Sequence, residues 1–282
     1  MNRKRSLSFS INPSRSRPAA ARTMPSYCPS HSFSSRVFTL PLISLHLAPG
    51  EFVTIIGSNG AGKSTLFSAI GGAFWADSGA IFLDGKNITY EPEHRRSAKI
   101  GRLFQDPMKG TAPHMTIEEN LALSYSRSRR RGLRMAVCGR DRDFFRSALA
   151  EFGMGLEDRM DTKVGLLSGG QRQALTLLMS TIVPPKLLLL DEHTAALDPA
   201  TAEKVMAITD SIVAKNHLTT MMITHNIQSA LTSGSRTIMM DRGKIILDLS
   251  GVEREKMTVA GLMDLYSARQ NQTLDNDRML LV

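Results

Sequence analysis

Along the chain, short apolar runs of strand type alternate with stretches of helical composition. Ile43 to Leu47 alternates apolar and polar positions and ends at the turn pair Pro49-Gly50. Phe52-Val53-Thr54-Ile55-Ile56 is short, apolar and rich in β-branched residues, which predicts a buried strand. A glycine-rich loop follows from Gly57 to Gly62, and Lys63 opens a predicted helix. Ala80 to Leu83 predicts a strand entering an Asp84-Gly85 turn, and Ile100 to Phe104 another strand. Thr116-Ile117-Glu118-Glu119 fits a capping box. Glu, Arg, Ala, Leu and Met then dominate as far as Lys163, predicting an inserted helical subdomain over about 114–170. Further strands are predicted at Leu187–Leu190, Thr219–Ile223, Thr237–Met240 and Ile245–Leu247, with helices at Pro199–Val213 and Asn226–Leu231. Strands alternating with helices imply an α/β fold whose mostly parallel sheet is covered on both faces. The expected divisions are an atypical, disordered segment over 1–36, one α/β domain over 37–250, and a helical extension and tail over 251–282.

The composition of the 282 residues is that of an ordinary globular protein, 42% hydrophobic and 22% charged, which excludes a wholly disordered chain. The net charge of +9 suggests an anionic partner until its distribution is examined. Residues 1–50 hold seven basic residues and no acid, so the remainder carries 28 basic against 26 acidic residues and is nearly neutral. The first 36 residues are Ser- and Arg-rich without strand or helix periodicity, and are expected to be disordered, a targeting segment, or a replacement for the true start. Two cysteines, Cys28 and Cys138, make neither a disulfide framework nor a zinc site. The best apolar run, Leu177 to Leu190, is broken by Pro184, Pro185 and Lys186 and falls short of a membrane span.

The chemistry concentrates in two places. Gly57-Ser58-Asn59-Gly60-Ala61-Gly62-Lys63-Ser64 fits G-x-x-x-x-G-K-[ST] at every position, between a predicted strand and a predicted helix, with Thr65 next. Such a loop turns backbone N–H groups and a helix N-terminus toward phosphate oxygens. Lys63 adds a cation for the β- and γ-phosphates, and Ser64 an oxygen for Mg²⁺. The plainer alternative is a glycine turn with an incidental lysine. In Leu187-Leu188-Leu189-Leu190-Asp191-Glu192 an apolar strand ends in two carboxylates, at the edge where open α/β sheets bind ligands. Asp191 is a candidate Mg²⁺ ligand through water, and Glu192 a candidate general base; a solvated acid pair is the plainer reading.

Leu167-Ser168-Gly169-Gly170-Gln171, between these two places, resembles the signature of ABC-type ATPases. Gln105 in Leu103-Phe104-Gln105-Asp106 resembles the family's Q-loop glutamine, Asp198 in Ala196-Leu197-Asp198 its D-loop, and His225 in Ile223-Thr224-His225 its switch histidine. The resemblance spans Glu51 to about Gly243. It implies a P-loop NTPase fold of the ABC type and a head-to-tail dimer that sandwiches two ATP molecules. In that arrangement Ser168, Gly169, Gly170 and Gln171 face the γ-phosphate held by the partner's phosphate loop, and Asp198 of the D-loop counts among the nucleotide-binding residues. His225 orients water and Glu192, and Gln105 senses Mg²⁺ and the water. The match departs from the family at its start, which usually supplies an N-terminal antiparallel β-subdomain and an aromatic residue that stacks on adenine. Tyr27, Phe33 and Phe38 are the aromatics present there, in no recognisable motif, so an incomplete or atypical β-subdomain is expected.

The resemblance therefore implies the ATP-hydrolysing subunit of a multi-subunit transporter, peripheral on the cytoplasmic face of the inner membrane. Its implied partners are a second ATPase subunit, integral-membrane permease subunits, and a periplasmic or lipoprotein solute-binding protein for amino-acid-like solutes; nucleic acid is not expected. The basic run Arg127-Ser128-Arg129-Arg130-Arg131 is a candidate permease or headgroup contact, or simply a solvated loop. The competing function is a soluble ABC ATPase acting on nucleic acid or ribosomes. A small-molecule kinase is a third, disfavoured by the signature and by His225.

Overall fold

In the computed structural model the described residues are 7–10, 43–76, 78–127 and 139–268. In chain order the strands are β1 (Leu7–Ser10), β2 (Ser44–Leu47), β3 (Phe52–Gly57), β4 (Ala80–Leu83), β5 (Lys86–Asn87), β6 (Ile100–Leu103), β7 (Leu187–Asp191), β8 (Thr220–Ile223), β9 (Arg236–Asp241) and β10 (Lys244–Ser250). The helices are α1 (Lys63–Gly71), α2 (Glu93–Arg96), α3 (Ile117–Ser126), α4 (Gly139–Ala150), α5 (Gly169–Thr181), α6 (Pro199–Asn216), α7 (Ile227–Thr232) and α8 (Gly251–Glu255). Residues 259–268 are also helical.

The main sheet has six strands in the order β10-β9-β3-β8-β7-β6. The pairs from β9 through to β6 are parallel, and β10 closes the edge antiparallel to β9. The Leu187–Leu190 run now has its explanation. Leu187 and Leu189 pack on one face with Leu66, Phe67 and Ile70 of α1. Leu188 and Leu190 pack on the other with Leu175 and Leu178 of α5 and Ile212 and Val213 of α6. A strand covered on both faces requires apolar residues at every position, not every second one.

A second, four-stranded antiparallel sheet has the order β2-β1-β4-β5 and shares its core with α1 through Leu45, Leu47, Ile81 and Leu83. The β4–β5 hairpin turns on Asp84 (φ 52°) and Gly85 (φ 72°), the positive-φ pair that a two-residue hairpin needs. Here the structure departs from the expectation of a disordered 1–36. Leu7–Ser10 is an inner strand, laddered to both β2 and β4. Its Leu-Ser-Phe-Ser sequence does alternate, but over four residues inside Ser- and Arg-rich surroundings. Neighbours on both sides satisfy its backbone, so it needs no long apolar run. The aromatics Tyr27, Phe33 and Phe38, both cysteines, and Arg129 to Arg131 lie outside the described residues.

The helical insert is closed at its base. Ile117 N donates to Thr162 O (3.1 Å), Val164 N to Met115 O (3.0 Å), and Thr116 bridges Lys163. Thr116 caps α3 in a capping box with Glu119. Ile117, Leu121, Phe145 and Leu149 then face α5, so the insert shares the core of one face of the sheet.

Candidate active site

The phosphate loop is built where β3 ends beside β9. Gly57 sits at φ 150°, and a Cβ there would lie 2.1 Å from Met240 O, so no side chain fits. Gly62 (φ 95°) is the N-cap of α1 and carries no side-chain cap, leaving the first-turn N–H groups to a ligand. The loop is fastened by Gly243 N donating to Ala61 O (2.9 Å) and by Ser58 Oγ donating to Asp241 Oδ1 (3.3 Å). Asn59 and Gly60 form its exposed tip, and Thr65 is half-buried one turn along. Lys63 is only 5% exposed, and its Nζ donates to Gly57 O (2.8 Å) and Ser58 O (2.9 Å). Burial holds its pKa below the usual lysine value, against the attraction of Glu192 and Asp191.

At the far end of α1 stands Arg96, which sequence reasoning did not single out. Its side chain is fully buried: Nη1 donates to Ala69 O (2.7 Å) and Ile70 O (2.8 Å), Nη2 to Thr89 O (2.7 Å), and Nε to Glu91 O (2.8 Å). A guanidinium at a helix C-terminus satisfies the last carbonyls and complements the dipole whose positive end faces the phosphate loop.

The two carboxylates meet this loop from β7. Ser64 Oγ donates to Asp191 Oδ1 (3.4 Å), and Arg102 Nη2 of β6 stands 3.8 Å from Asp191 Oδ2. Burial raises the Asp191 pKa, partly offset by Arg102. Glu192 has φ 48°, an uncommon backbone for a non-glycine residue and one often held at functional sites. Its Oε1 lies 2.7 Å from His225 Nε2. The loop after Glu192 is pinned by the buried His193, whose Nε2 lies 3.2 Å from Thr209 Oγ1 of α6. That hydroxyl already donates to Val205 O (2.8 Å), so His193 is the donor. Burial lowers the His193 pKa to about 4. A cavity of about 880 Å³ opens beside Glu192 and His225, with Leu197, Met206 and Asp210 on its wall.

The structure thus gathers Lys63, Ser64, Asp191, Glu192 and His225 at the carboxyl edge of the sheet. Ser168 lies elsewhere, exposed at the start of α5, where it forms a capping box with Gln171. Gln171 Nε2 also donates to Met154 O (3.4 Å). Gly169 and Gly170 let α5 approach the start of α6: a Cβ on Gly170 would sit 2.1 Å from Thr201 Cγ2, and one on Gly169 3.3 Å from Leu197. Asp198 caps α6, accepting from Thr201 N (3.1 Å). Gln105 is exposed where β6 runs toward the helical insert, beside Asp106, which caps the next turn.

This arrangement can hold an anion at α1 and a divalent ion between Ser64 and Asp191. A hydroxyl and a carboxylate suit Mg²⁺. Among the described residues no group of three or more His, Cys, Asp or Glu side chains could hold a metal ion, so a metal here would take further ligands from bound phosphates.

Comparison with known proteins gives the class. The ABC transporter family matches residues 40–195, more than half of the chain. The chain is 43% identical over 224 residues to the "Tyrosine transport ATP-binding protein" of Clostridioides difficile (79% of this chain, 89% of that protein). It is 34% identical over 210 residues to the "Thiamine import ATP-binding protein ThiQ" of Yersinia pseudotuberculosis (74% and 84%). Among solved structures it superposes on the dimeric post-hydrolysis state of the ATP-binding cassette MJ0796 bound to ADP and Pi, with a TM-score of 0.65 and 28% identity (75% of this chain, 90% of that one). The ADP conformation of the cassette MJ1267 gives a TM-score of 0.66 at 27% identity (80% and 91%). The chain belongs to the ABC transporter family, as its ATP-binding, ATP-hydrolysing subunit. Among the described residues no helix is long and apolar enough to cross a membrane.

Proposed function

We propose that this subunit powers an importer for amino-acid-like solutes, working as one of a pair of ATPase subunits that sandwich two ATP molecules. The observation that carries the reading is the split described above: one chain assembles the phosphate loop, Asp191, Glu192 and His225, and presents Ser168 and Gly169 outward on another element. A second chain would complete the site with its own Ser168, Gly169, Gly170 and Gln171, whose helix N-terminus would face the γ-phosphate, while Asp198 lines the same interface.

Within the site, the phosphate-loop amides from Ser58 to Thr65 and the Lys63 ammonium would bind the phosphates. Ser64, Asp191 (through water) and Gln105 would hold Mg²⁺, which neutralises charge on the phosphate oxygens. Glu192 would take a proton from water as its oxygen attacks the γ-phosphorus and the bond to ADP breaks. His225, 2.7 Å from Glu192 Oε1, would orient that carboxylate and contact the γ-phosphate.

With the signature of a transporter family and no spanning helix among the described residues, the chain would sit on the cytoplasmic face of the membrane against separate permease subunits, served by a solute-binding protein. A groove of about 270 Å³ between sheet and helical insert, lined by Arg102, Phe104, Lys109 and Arg127, offers the permease a surface next to Gln105. The solute class follows the relative named for tyrosine transport. The test is purification of the tagged chain from membranes. Co-purification of a polytopic membrane protein, and ATPase activity stimulated by tyrosine-like solutes in the reconstituted complex, are expected. Recovery of RNA or ribosomes instead would overturn the transport reading.

A further inference from the structure

Arg102 is an odd residue to find on an inner face. It lies on β6, one strand from Asp191, and its neighbours along the strand, Gly101 and Leu103, are buried. Its guanidinium touches two environments at once. On one side Nη2 stands 3.8 Å from Asp191 Oδ2 and donates to Ser68 Oγ of α1 (3.2 Å). On the other, the guanidinium lies 4.7 Å over the Phe104 ring and lines the groove of about 270 Å³ that separates the sheet from the helical insert. Its Nε is buried without a hydrogen-bond partner. The side chain is therefore incompletely satisfied where it stands, with open volume beside it. Glu93, an exposed carboxylate on the rim of that groove, also attracts it.

We propose that Arg102 is a built-in counter-cation for Asp191: it neutralises the buried carboxylate when no divalent ion is bound, and moves toward Glu93 in the groove when the metal–nucleotide complex seats. The proposal rests on reading Asp191 as the carboxylate that serves the nucleotide's metal.

The physical argument is one of competing charges. Asp191 is 8% exposed, and a carboxylate that buried is costly without a cation nearby. Lys63 contributes, but two of its three donors are committed to the loop carbonyls. Arg102 supplies the remaining compensation at a distance too long for a good bidentate pair, so the contact is loose enough to give up. Once a divalent ion lies between Ser64 and Asp191, the guanidinium becomes a like charge next to it, and repulsion in a partly dry site favours its departure. Glu93, on the rim of the groove, provides somewhere to go. Arg102 thus acts through Asp191 and is a positioning residue, not a catalytic one.

The test uses Mn²⁺ as the probe, with its affinity read by electron paramagnetic resonance on the full chain saturated with ATP in a Glu192→Gln background that does not turn over. Arg102→Met should bind Mn²⁺ about threefold or more tightly, because a competing cation is gone. Arg102→Lys should fall between the two, and Glu93→Gln should weaken Mn²⁺ binding, the opposite sign. In metal-free buffer without nucleotide, Arg102→Met should melt at a lower temperature than the parent and gain more from added Mn²⁺. A merely structural arginine predicts weaker or unchanged metal binding on its removal, and that result overturns the proposal. Asp191→Asn separates the two levels. If it abolishes tight Mn²⁺ binding while Arg102→Met changes nothing, only the Arg102 role fails. If Asp191→Asn leaves Mn²⁺ binding intact, the metal-site reading fails with it.

Discussion

Two helices in this molecule begin with glycine and a hydroxyl residue, and they are finished in opposite ways. The start of α1 is turned inward. Its N-cap has no side-chain partner, Lys63 is buried against its own loop, and β9 closes over Gly57. Its far end is plugged by Arg96. The start of α5 is turned outward and already has its own cap in Ser168, with Gln171 returning the bond. Behind it, Gly170 packs on Thr201 so closely that a Cβ would lie 2.1 Å from the Thr201 methyl. The first is an anion site complete within one chain, to which Asp191, Glu192 and His225 are added. The second is an exposed, self-capped helix start backed by α6, the surface on which the proposed pairing of two chains rests. Side by side, they show one chain carrying two separated helix starts, one turned in and one turned out.

The difference can be attacked from the inside first. Glu192→Gln should cut turnover by about 10²- to 10⁴-fold, the usual range for a general base, while ATP binding to the single chain is preserved. A Pi-release assay with ATP binding measured in parallel checks it; normal turnover would remove Glu192 from its role. Next in size is Arg96→Met. It strips four hydrogen bonds from carbonyls, two of them at the end of α1 and two at Thr89 and Glu91, and should cost about 3 kcal/mol in urea unfolding, with ATP affinity falling as α1 loosens.

His193 gives a pH signature. Its pKa is about 4 in the folded chain against 6.5 when exposed, so between those values the unfolded chain binds a proton that the folded chain refuses. Stability should therefore rise with pH through this window, with about 2 kcal/mol already lost at pH 5 relative to pH 7. Unfolding curves of His193→Gln should show that loss removed. On the outer helix, Ser168→Ala should cost only about 1 kcal/mol of stability, the value of an N-cap, and leave ATP binding by one chain unchanged while lowering turnover.

Much of this layout is legible in the sequence, and for definite reasons. The Gly57–Ser64 loop is visible because φ 150° at Gly57 and φ 95° at Gly62 admit little but glycine. The Leu187–Leu190 strand is visible because burial on both faces permits no polar residue. The capping box at Thr116 is visible because its two partners sit three residues apart, whereas the box formed by Ser168 and Gln171 emerges only in the structure. What escaped depends on distant neighbours. Leu7–Ser10 becomes a strand through ladders to residues 44–47 and 80–83, which a four-residue alternation does not announce. Arg96 and Arg102 look like surface cations in the sequence, and only the packing of α1 and β7 shows one as a helix plug and the other beside Asp191. His193 carries no signal until Thr209, sixteen residues on, is placed against it.

The central claim is that the outward helix start is completed by a second chain holding ATP. Light scattering on the Glu192→Gln chain, with and without saturating Mg·ATP, measures this most directly. Twice the single-chain mass is expected with Mg·ATP and a single-chain mass without it, and the doubled mass should be lost when Ser168→Arg is added. A single-chain mass at saturating Mg·ATP, in a protein shown to have bound the nucleotide, would contradict it.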